Sequence, residues 1–176
     1  ADARVAWFFA GSGAAMRLLR ERRVDMVLAH APAAERRAVA EGWATGRRLF
    51  GSNEFWVVGP PADPSRIKGL PAEEAFRRLR ATGGRFVSRG DNSGTHQKEI
   101  ELWRAAGVEP DPAQLIVTRD FMTASLRRAN DERAYFLTDS STFVAERRNV
   151  PELAVLVQGG AILLNPYHTL LPAEPT

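Results

Sequence analysis

Apolar residues along the chain follow two alternating rhythms. Short continuous runs have the length of buried strands, and between them apolar positions recur three and four apart, as on one face of a helix. Val5-Ala6-Trp7-Phe8-Phe9, bounded by Gly11, predicts a strand, and Ala15, Leu18 and Leu19 predict a helix running to Arg23. Residues 25–30 predict a second strand. Pro32 then opens a helix at its first turn, with Val39, Ala40 and Trp43 as the inner face. Residues 53–59 predict a strand that Pro60-Pro61 closes.

A second block repeats the rhythm. Pro71 starts a helix carrying Ala75, Phe76 and Leu79, and Gly83-Gly84 ends it. Arg85-Phe86-Val87 leads into the polar stretch Ser88-Arg89-Gly90-Asp91-Asn92-Ser93-Gly94-Thr95-His96, after which Ile100, Trp103 and Ala106 predict the buried stripe of another helix. Residues 114–118 predict a strand, 122–129 a helix, 134–138 a strand and 141–148 a short helix. Residues 153–157 and 162–164 complete the series as strands. Such alternation predicts an α/β protein with largely parallel sheets. No fixed-period repeat or low-complexity linker interrupts it.

Composition narrows the function classes. With 176 residues, 44% of them hydrophobic, the chain can bury a core as one domain or as two small lobes sharing a hinge. Its 24 basic residues are nearly balanced by 21 acidic ones, leaving +3, which leans towards an anionic ligand but gives no nucleic-acid stripe. Arginine clusters such as Arg20 to Arg23 without Glu21, Arg77-Arg78 and Arg147-Arg148 read as solvated helix faces. Trp7, Trp43, Trp56 and Trp103 fall at strand or helix positions that read as core, so no nucleic-acid partner is expected. The absence of cysteine excludes disulfides and thiolate metal sites and leaves cytosol and periplasm equally open. His30, His96 and His168 are too scattered for a local ligand motif, and neither metal nor cofactor is expected. No apolar run approaches the roughly 18 residues of a membrane span. The opening residues lack the pattern of an export signal, although a mature chain that has lost one would look the same.

Chemistry concentrates where strands hand over to helices. In open α/β sheets, ligands bind beyond the carboxyl ends of the strands, facing helix N-termini whose N–H groups lack partners. Three such junctions carry small polar residues: Gly11-Ser12-Gly13, the stretch 88–95, and Thr138-Asp139-Ser140-Ser141-Thr142. Ser, Thr, Asp and Asn are also ordinary helix caps, so each junction alone is ambiguous. The second carries most: Gly90 and Gly94 admit close backbone approach, Ser93 and Thr95 add hydroxyls, and Arg89 offers a charged fork suited to an oxyanion. Alternatively, Arg89 is a partner of Asp91. Neither a P-loop nor a Rossmann glycine pattern is present. Ser93, His96 and Asp139 supply the residue types of a catalytic triad, but no G-x-S-x-G elbow surrounds Ser93, and no enzyme activity is expected.

Five segments together resemble the tungstate-binding proteins of bacterial ABC transporters: GSGAAMRLLRERRVDMVLAHAP (11–32), NEFWVVGPPADPSRIKG (53–69), FVSRGDNSGTHQKEIELWRAAG (86–107), YFLTDSSTF (135–143) and LLNPY (163–167). The SRGDNSGTH motif is the most specific. The resemblance implies a type II periplasmic-binding-protein fold, two α/β lobes joined by crossing strands with an oxyanion held in the cleft. It implies lobe 1 from 1–56 and 164–176, and lobe 2 from 57–163. The ligand-facing positions it implies are Ser12, Gly13, Ser88, Arg89, Ser93, Gly94 and Thr95, together with Thr138 and Asp139, the last of which could instead cap its helix. The ligand would be tungstate or molybdate, the partner an ABC transporter permease subunit, and the location periplasmic or extracellular, membrane-associated through the transporter.

The family pattern usually begins with an additional strand and a hydroxyl-rich loop and ends in a helical segment, and these are not found in this chain. The first lobe is therefore expected to be incomplete. A fragment, a processed chain, or a lobe completed by a homodimer or partner chain would each account for it. Two further readings stay open at this stage: an oxyanion-sensing ligand-binding domain of a larger regulatory protein, and phosphate or sulfate binding. Phosphate often keeps a proton and benefits from a carboxylate acceptor, so the orientation of Asp91 and Asp139 bears on the choice.

Overall fold

The computed structural model describes residues 4–174. Residues 1–3, part of the stretch read for an export signal, and residues 175–176, the end of the segment assigned to lobe 1, lie outside the described residues. The chain divides into two compact units, Ala1–Gly51 with Pro166–Thr176, and Ser52–Asn165. Strand β2 (Ala44–Gly59) and strand β7 (Leu164–Pro172) carry the chain from one unit to the other.

The first unit holds α1 (Ser12–Arg20), β1 (Val27–Ala29), α2 (Pro32–Ala40) and the adjoining parts of β2 and β7. β1 pairs antiparallel with β7, Val27 opposite Leu170 and Ala29 opposite His168, and β7 lies between β1 and β2. Its core is small: Met16, Leu19, Val27, Ala29, Ala38, Ala44 and Leu170. Pro32 sits in the first turn of α2 as predicted, but the inner face differs. Glu35 and Ala38 are fully buried, whereas Val39 and Ala40 face solvent. Glu35 is drawn inward because its carboxylate accepts from the Ala31 N–H (2.8 Å) and Arg47 Nε (3.1 Å) and lies 2.9 Å from His168 Nδ1. A buried carboxylate needs such partners, and they set the rotation of a helix whose apolar edge is weak.

The predicted strand at residues 5–9 does not form. Val5, Trp7, Phe8 and Phe9 remain exposed, Phe9 by 99%. An apolar run becomes a strand only when a neighbour pairs its N–H and C=O groups, and among the described residues nothing pairs with this one.

The second unit contains the larger core. Its strands run β6 (Ala154–Val157), β2, β5 (Tyr135–Asp139), β3 (Phe86–Ser88) and β4 (Leu115–Val117) across the sheet. β3 is parallel to β4 and β5, because α4 (Gly94–Ala105) and α5 (Met122–Glu132) provide the crossovers that parallel pairing requires. β2 runs antiparallel to both β5 and β6, so the sheet is mixed where a largely parallel one was expected. On one face, α3 (Ala72–Thr82) and α4 bury Phe76, Phe86 and Trp103 with ring centroids 4.6–5.7 Å apart. On the other, Leu126 of α5 and Phe143 of α6 (Ser140–Glu146) pack on Val58, Val87 and Phe136. Of residues 162–164, predicted as strand, Ile162 and Leu163 fall in a 3-10 turn (Ala161–Leu163) and only Leu164 is extended, as the first residue of β7, since Gly159 and Gly160 at φ +79° and +88° break the extended path just before the turn.

Candidate anion-binding site

Parallel pairing of β3 with β5 puts two of the polar junctions at the same edge of the second unit. Phe86 lies opposite Tyr135 and Val87 opposite Phe136, so the chain leaves both strands on the same side, β3 through Ser88-Arg89 and β5 through Thr138-Asp139. Ser88 is buried at 3% exposure. Its carbonyl accepts from Thr118 N (3.0 Å), and the Arg89 carbonyl accepts from Arg119 N (2.8 Å), which fixes the start of the loop against the chain following β4.

The loop then turns tightly. Gly90 adopts φ +60°, and a Cβ there would meet Val117 Cγ1 at 2.3 Å, so this position demands glycine for both conformation and space. Asn92 is also left-handed, at φ +57°. Asp91 Oδ1 accepts from Ser93 N (3.1 Å) and Oδ2 from Arg89 Nη2. Burial works to raise the Asp91 carboxyl, but Ser93 and the Arg89 guanidinium outweigh it and hold the group below the usual carboxylate range. Ser93 caps α4, its Oγ accepting from His96 N (3.3 Å), while His96 Nδ1 accepts from Asn92 N (2.9 Å). These contacts tie Ser93 and the His96 ring to the helix start and do not set the imidazole on the Ser93 hydroxyl as a triad would require.

Several donors are left over. Among the described residues the N–H groups of Gly94 and Thr95 have no protein acceptor, and these are first-turn amides of a 12-residue helix. The Thr95 side chain is buried beside them. Arg89 uses Nε on the Asp120 carbonyl (3.1 Å) and Nη2 on Asp91, leaving Nη1 without a protein partner among the described residues. Its side chain is 11% exposed and held from both ends, so the guanidinium is pre-oriented. The Arg89–Asp91 pairing that the sequence offered as the alternative to a ligand contact is present.

The third junction is more self-contained. Asp139 caps α6, with Oδ1 accepting from Thr142 N (2.8 Å) and Oδ2 from Thr142 Oγ1 (2.6 Å), while Asn53 Nδ2 approaches Oδ1 at 3.4 Å. Thr138 is fully buried, and its hydroxyl donates to the Asp139 carbonyl (3.2 Å). In the first unit, Ser12 opens α1 at 5% exposure, and its Oγ accepts from His30 N (3.4 Å). Gly13 follows it, exposed, with open space where a Cβ would lie.

Beside this junction lies a second buried carboxyl that was not foreseen. Glu99, 4% exposed, sits on the inner face of α4 with Thr95, Leu102 and Trp103. Burial pushes it up to about 7, against the hydrogen-bonding pull of Ser88, Trp103 and the Arg89 backbone, and the nearby Asp91 charge adds to the rise. Its signal was its spacing, four residues after Thr95 and four before Trp103, which puts a glutamate on the buried stripe.

The family model described as a PBP superfamily domain matches residues 1–175. The tungstate-binding protein TupA of Desulfovibrio alaskensis G20 is 35% identical and superposes with a TM-score of 0.82, over 96% of this chain and 69% of that one. This chain belongs to the PBP superfamily, in the family of the tungstate-binding proteins. The tungstate ABC transporter structure from Geobacter sulfurreducens agrees, at 38% identity and TM-score 0.80 over 94% of this chain and 70% of that one. A Haloferax volcanii protein named for anion binding in an ABC transporter is 39% identical over 99% of this chain. The chain spans 52%, 58% and 64% of the lengths of the three curated relatives it matches.

Proposed function

We propose that this chain is the oxyanion-capturing component of an ABC transporter, with tungstate or molybdate as its ligand. The observation that carries this reading is the set of donors left over at the β3–α4 junction: the Gly94 and Thr95 amides, and an Arg89 guanidinium oriented by Asp91 and Asp120. Ser88 and Ser93 add hydroxyls there. Ser12, Gly13 and Thr138 are proposed ligand contacts on the strength of the family resemblance, each to be tested by its own variant. Asp139 is proposed to act through the cap it makes on α6.

A tetrahedral dianion presents acceptors only, so donors suffice to hold it. Bonds to a charged partner contribute roughly 1.5–3 kcal/mol each, and about six would support the ~12 kcal/mol of nanomolar binding when the donors are already ordered. Asp91 and Asp139 each direct both oxygens to donors of their own chain, Ser93 and Arg89 in one case and Thr142 in the other, rather than standing as unengaged acceptors for the proton of a phosphate. That favours the fully ionised anions. Transport at a membrane would then need a permease partner, since among the described residues no helix is long and apolar enough to cross one.

Calorimetric titration with tungstate, molybdate, sulfate and phosphate tests the reading. Tungstate or molybdate is expected to bind at one site and more tightly than phosphate, and Arg89→Ala is expected to weaken that binding at least tenfold, about 1.4 kcal/mol or more, with an unchanged circular dichroism spectrum. Unchanged affinity in the variant would remove Arg89 from the site.

A further inference from the structure

The chain that follows β4 is bound to the chain that follows β3. Thr118 N and Arg119 N donate to the Ser88 and Arg89 carbonyls at 3.0 and 2.8 Å, which carries the parallel β3–β4 pairing past the end of both strands. Arg119, at φ +54°, then turns the chain towards α5. The turn leaves the Asp120 carbonyl outside the helix. Among the described residues its partners are Arg89 Nε at 3.1 Å and the Ser125 hydroxyl at 3.4 Å, and no backbone N–H joins them. The arginine of the proposed site is thus anchored on a carbonyl whose other donor is a serine.

Ser125 is fully buried on the inner face of α5, and its hydroxyl lies 2.7 Å from that of Thr118. A buried hydroxyl needs a partner, and Thr118 alone would supply one. The pair has a further capacity, because two protons face two carbonyls: Asp120 is in reach of Ser125, and Ser88 is in reach of Thr118 at 3.4 Å. One proton always joins the two oxygens, so the other serves one carbonyl at a time. If Thr118 donates to Ser125, Ser125 donates to Asp120, and in the reverse order Thr118 donates to Ser88. The Ser88 carbonyl already holds the Thr118 N–H, whereas the Asp120 carbonyl has no backbone donor, so the first order satisfies more of the buried groups.

We propose that Thr118 and Ser125 are positioning residues for oxyanion binding: the Thr118 hydroxyl donates to Ser125, Ser125 donates to the Asp120 carbonyl, and that carbonyl holds the Arg89 guanidinium so that Nη1 is left for the ligand. This rests on the oxyanion reading above. Arg89 stands between two acceptors, the Asp120 carbonyl at Nε and the Asp91 carboxylate at Nη2. Asp91 is charged and the carbonyl is not, so a loosened tether lets the carboxylate take the guanidinium as a two-bond fork and draws it away from an anion. Thr118 and Ser125 touch no ligand in this account and act only through the group they orient.

The test compares the wild type with Ser125→Ala and with Thr118→Val, which keeps the side-chain shape. Without ligand, the Arg89 Nε–H signal in a proton–nitrogen correlation spectrum, assigned by its loss in Arg89→Ala, is expected to exchange slowly with water in the wild type and faster in both variants. Calorimetric titration with sodium tungstate is expected to show both variants binding roughly fivefold more weakly, the effect of one hydrogen bond of ordinary strength. Variants that lose stability in urea yet keep the wild-type affinity and Arg89 exchange would show that the hydroxyls serve packing alone, and this overturns the proposal. So does faster Arg89 exchange without loss of affinity. A rapidly exchanging Arg89 Nε–H in the wild type overturns it too, a readout that stands even if a variant does not fold. A protected Arg89 Nε–H in a wild type that binds no tungstate instead overturns the oxyanion reading, and this inference with it.

Discussion

At the scale of single residues, the chain separates carboxylates by what surrounds them. Asp91 is buried on one side yet supplied with Ser93 and Arg89, and it stays ionised. Glu99, one helical turn deeper, has weaker compensation and is pushed up to about 7. The sign for stability follows from linkage. A carboxyl that holds its proton more tightly when folded contributes stability below the ordinary Glu range, around pH 4.5, and loses it as pH rises to about 7. The loss is on the order of 3 kcal/mol at most, from about 1.4 kcal/mol per displaced pH unit. Glu99→Gln is therefore expected to flatten the decline of the thermal midpoint between pH 5 and about pH 7.5 that the wild type shows. Parallel curves for the two proteins would contradict the burial cost assigned to Glu99. Glu35 poses the same burial problem and solves it differently, with Ala31 N, Arg47 and His168 gathered around one carboxylate.

Among the elements, the β3–loop–α4 unit carries the proposed site. A three-residue strand buried on both faces feeds a turn that only glycine can make at position 90. Gly90→Ala is expected to cost about 1–3 kcal/mol from the left-handed φ and the contact with Val117, seen as a lower midpoint in urea. Pairing it with Val117→Ala should return part of that loss by opening the space, whereas no recovery would mean that the φ alone is limiting. This unit was also the most legible part of the sequence. Its strand, polar turn and helix start all fell where Phe86-Val87, Gly90, Ser93 and Gly94 announced them, because each choice is local: an apolar run, a left-handed turn, a capping hydroxyl. What failed was decided by distant partners. Residues 5–9 carry strand chemistry but have no pairing neighbour among the described residues, α2 is turned inward by Arg47 and His168 from two other strands, and the antiparallel course of β2 depends on how the chain enters the sheet. Glu99 was hidden for a related reason. A glutamate on an amphipathic helix is ordinarily a solvated residue, and only the packing of α4 against α3 and β5 buries this one.

For the whole molecule, the two units differ in how well they are built. Ser52–Asn165 has two apolar layers, one on each face of its sheet, with aromatic rings in contact. The other unit has a seven-residue buried cluster, and Trp7, Phe8, Phe9, Leu49 and Phe50 are among its exposed residues. Burial of apolar area is the main stabilising term, so protection should follow it. Hydrogen exchange is expected to show slow amides in β3 and β5 and faster exchange in β1 and α1. Equal protection in both units would mean that the exposed aromatics of the first unit are covered in solution. The central claim is narrower: that an oxyanion sits at the carboxyl end of β3, in reach of the first turn of α4. Its most direct test is an anomalous difference map at a tungsten absorption edge from crystals grown with tungstate. A single strong peak within hydrogen-bonding distance of Arg89 and of the Gly94 and Thr95 amides is the result this account predicts. A peak bound elsewhere, or none at saturating tungstate, would contradict it.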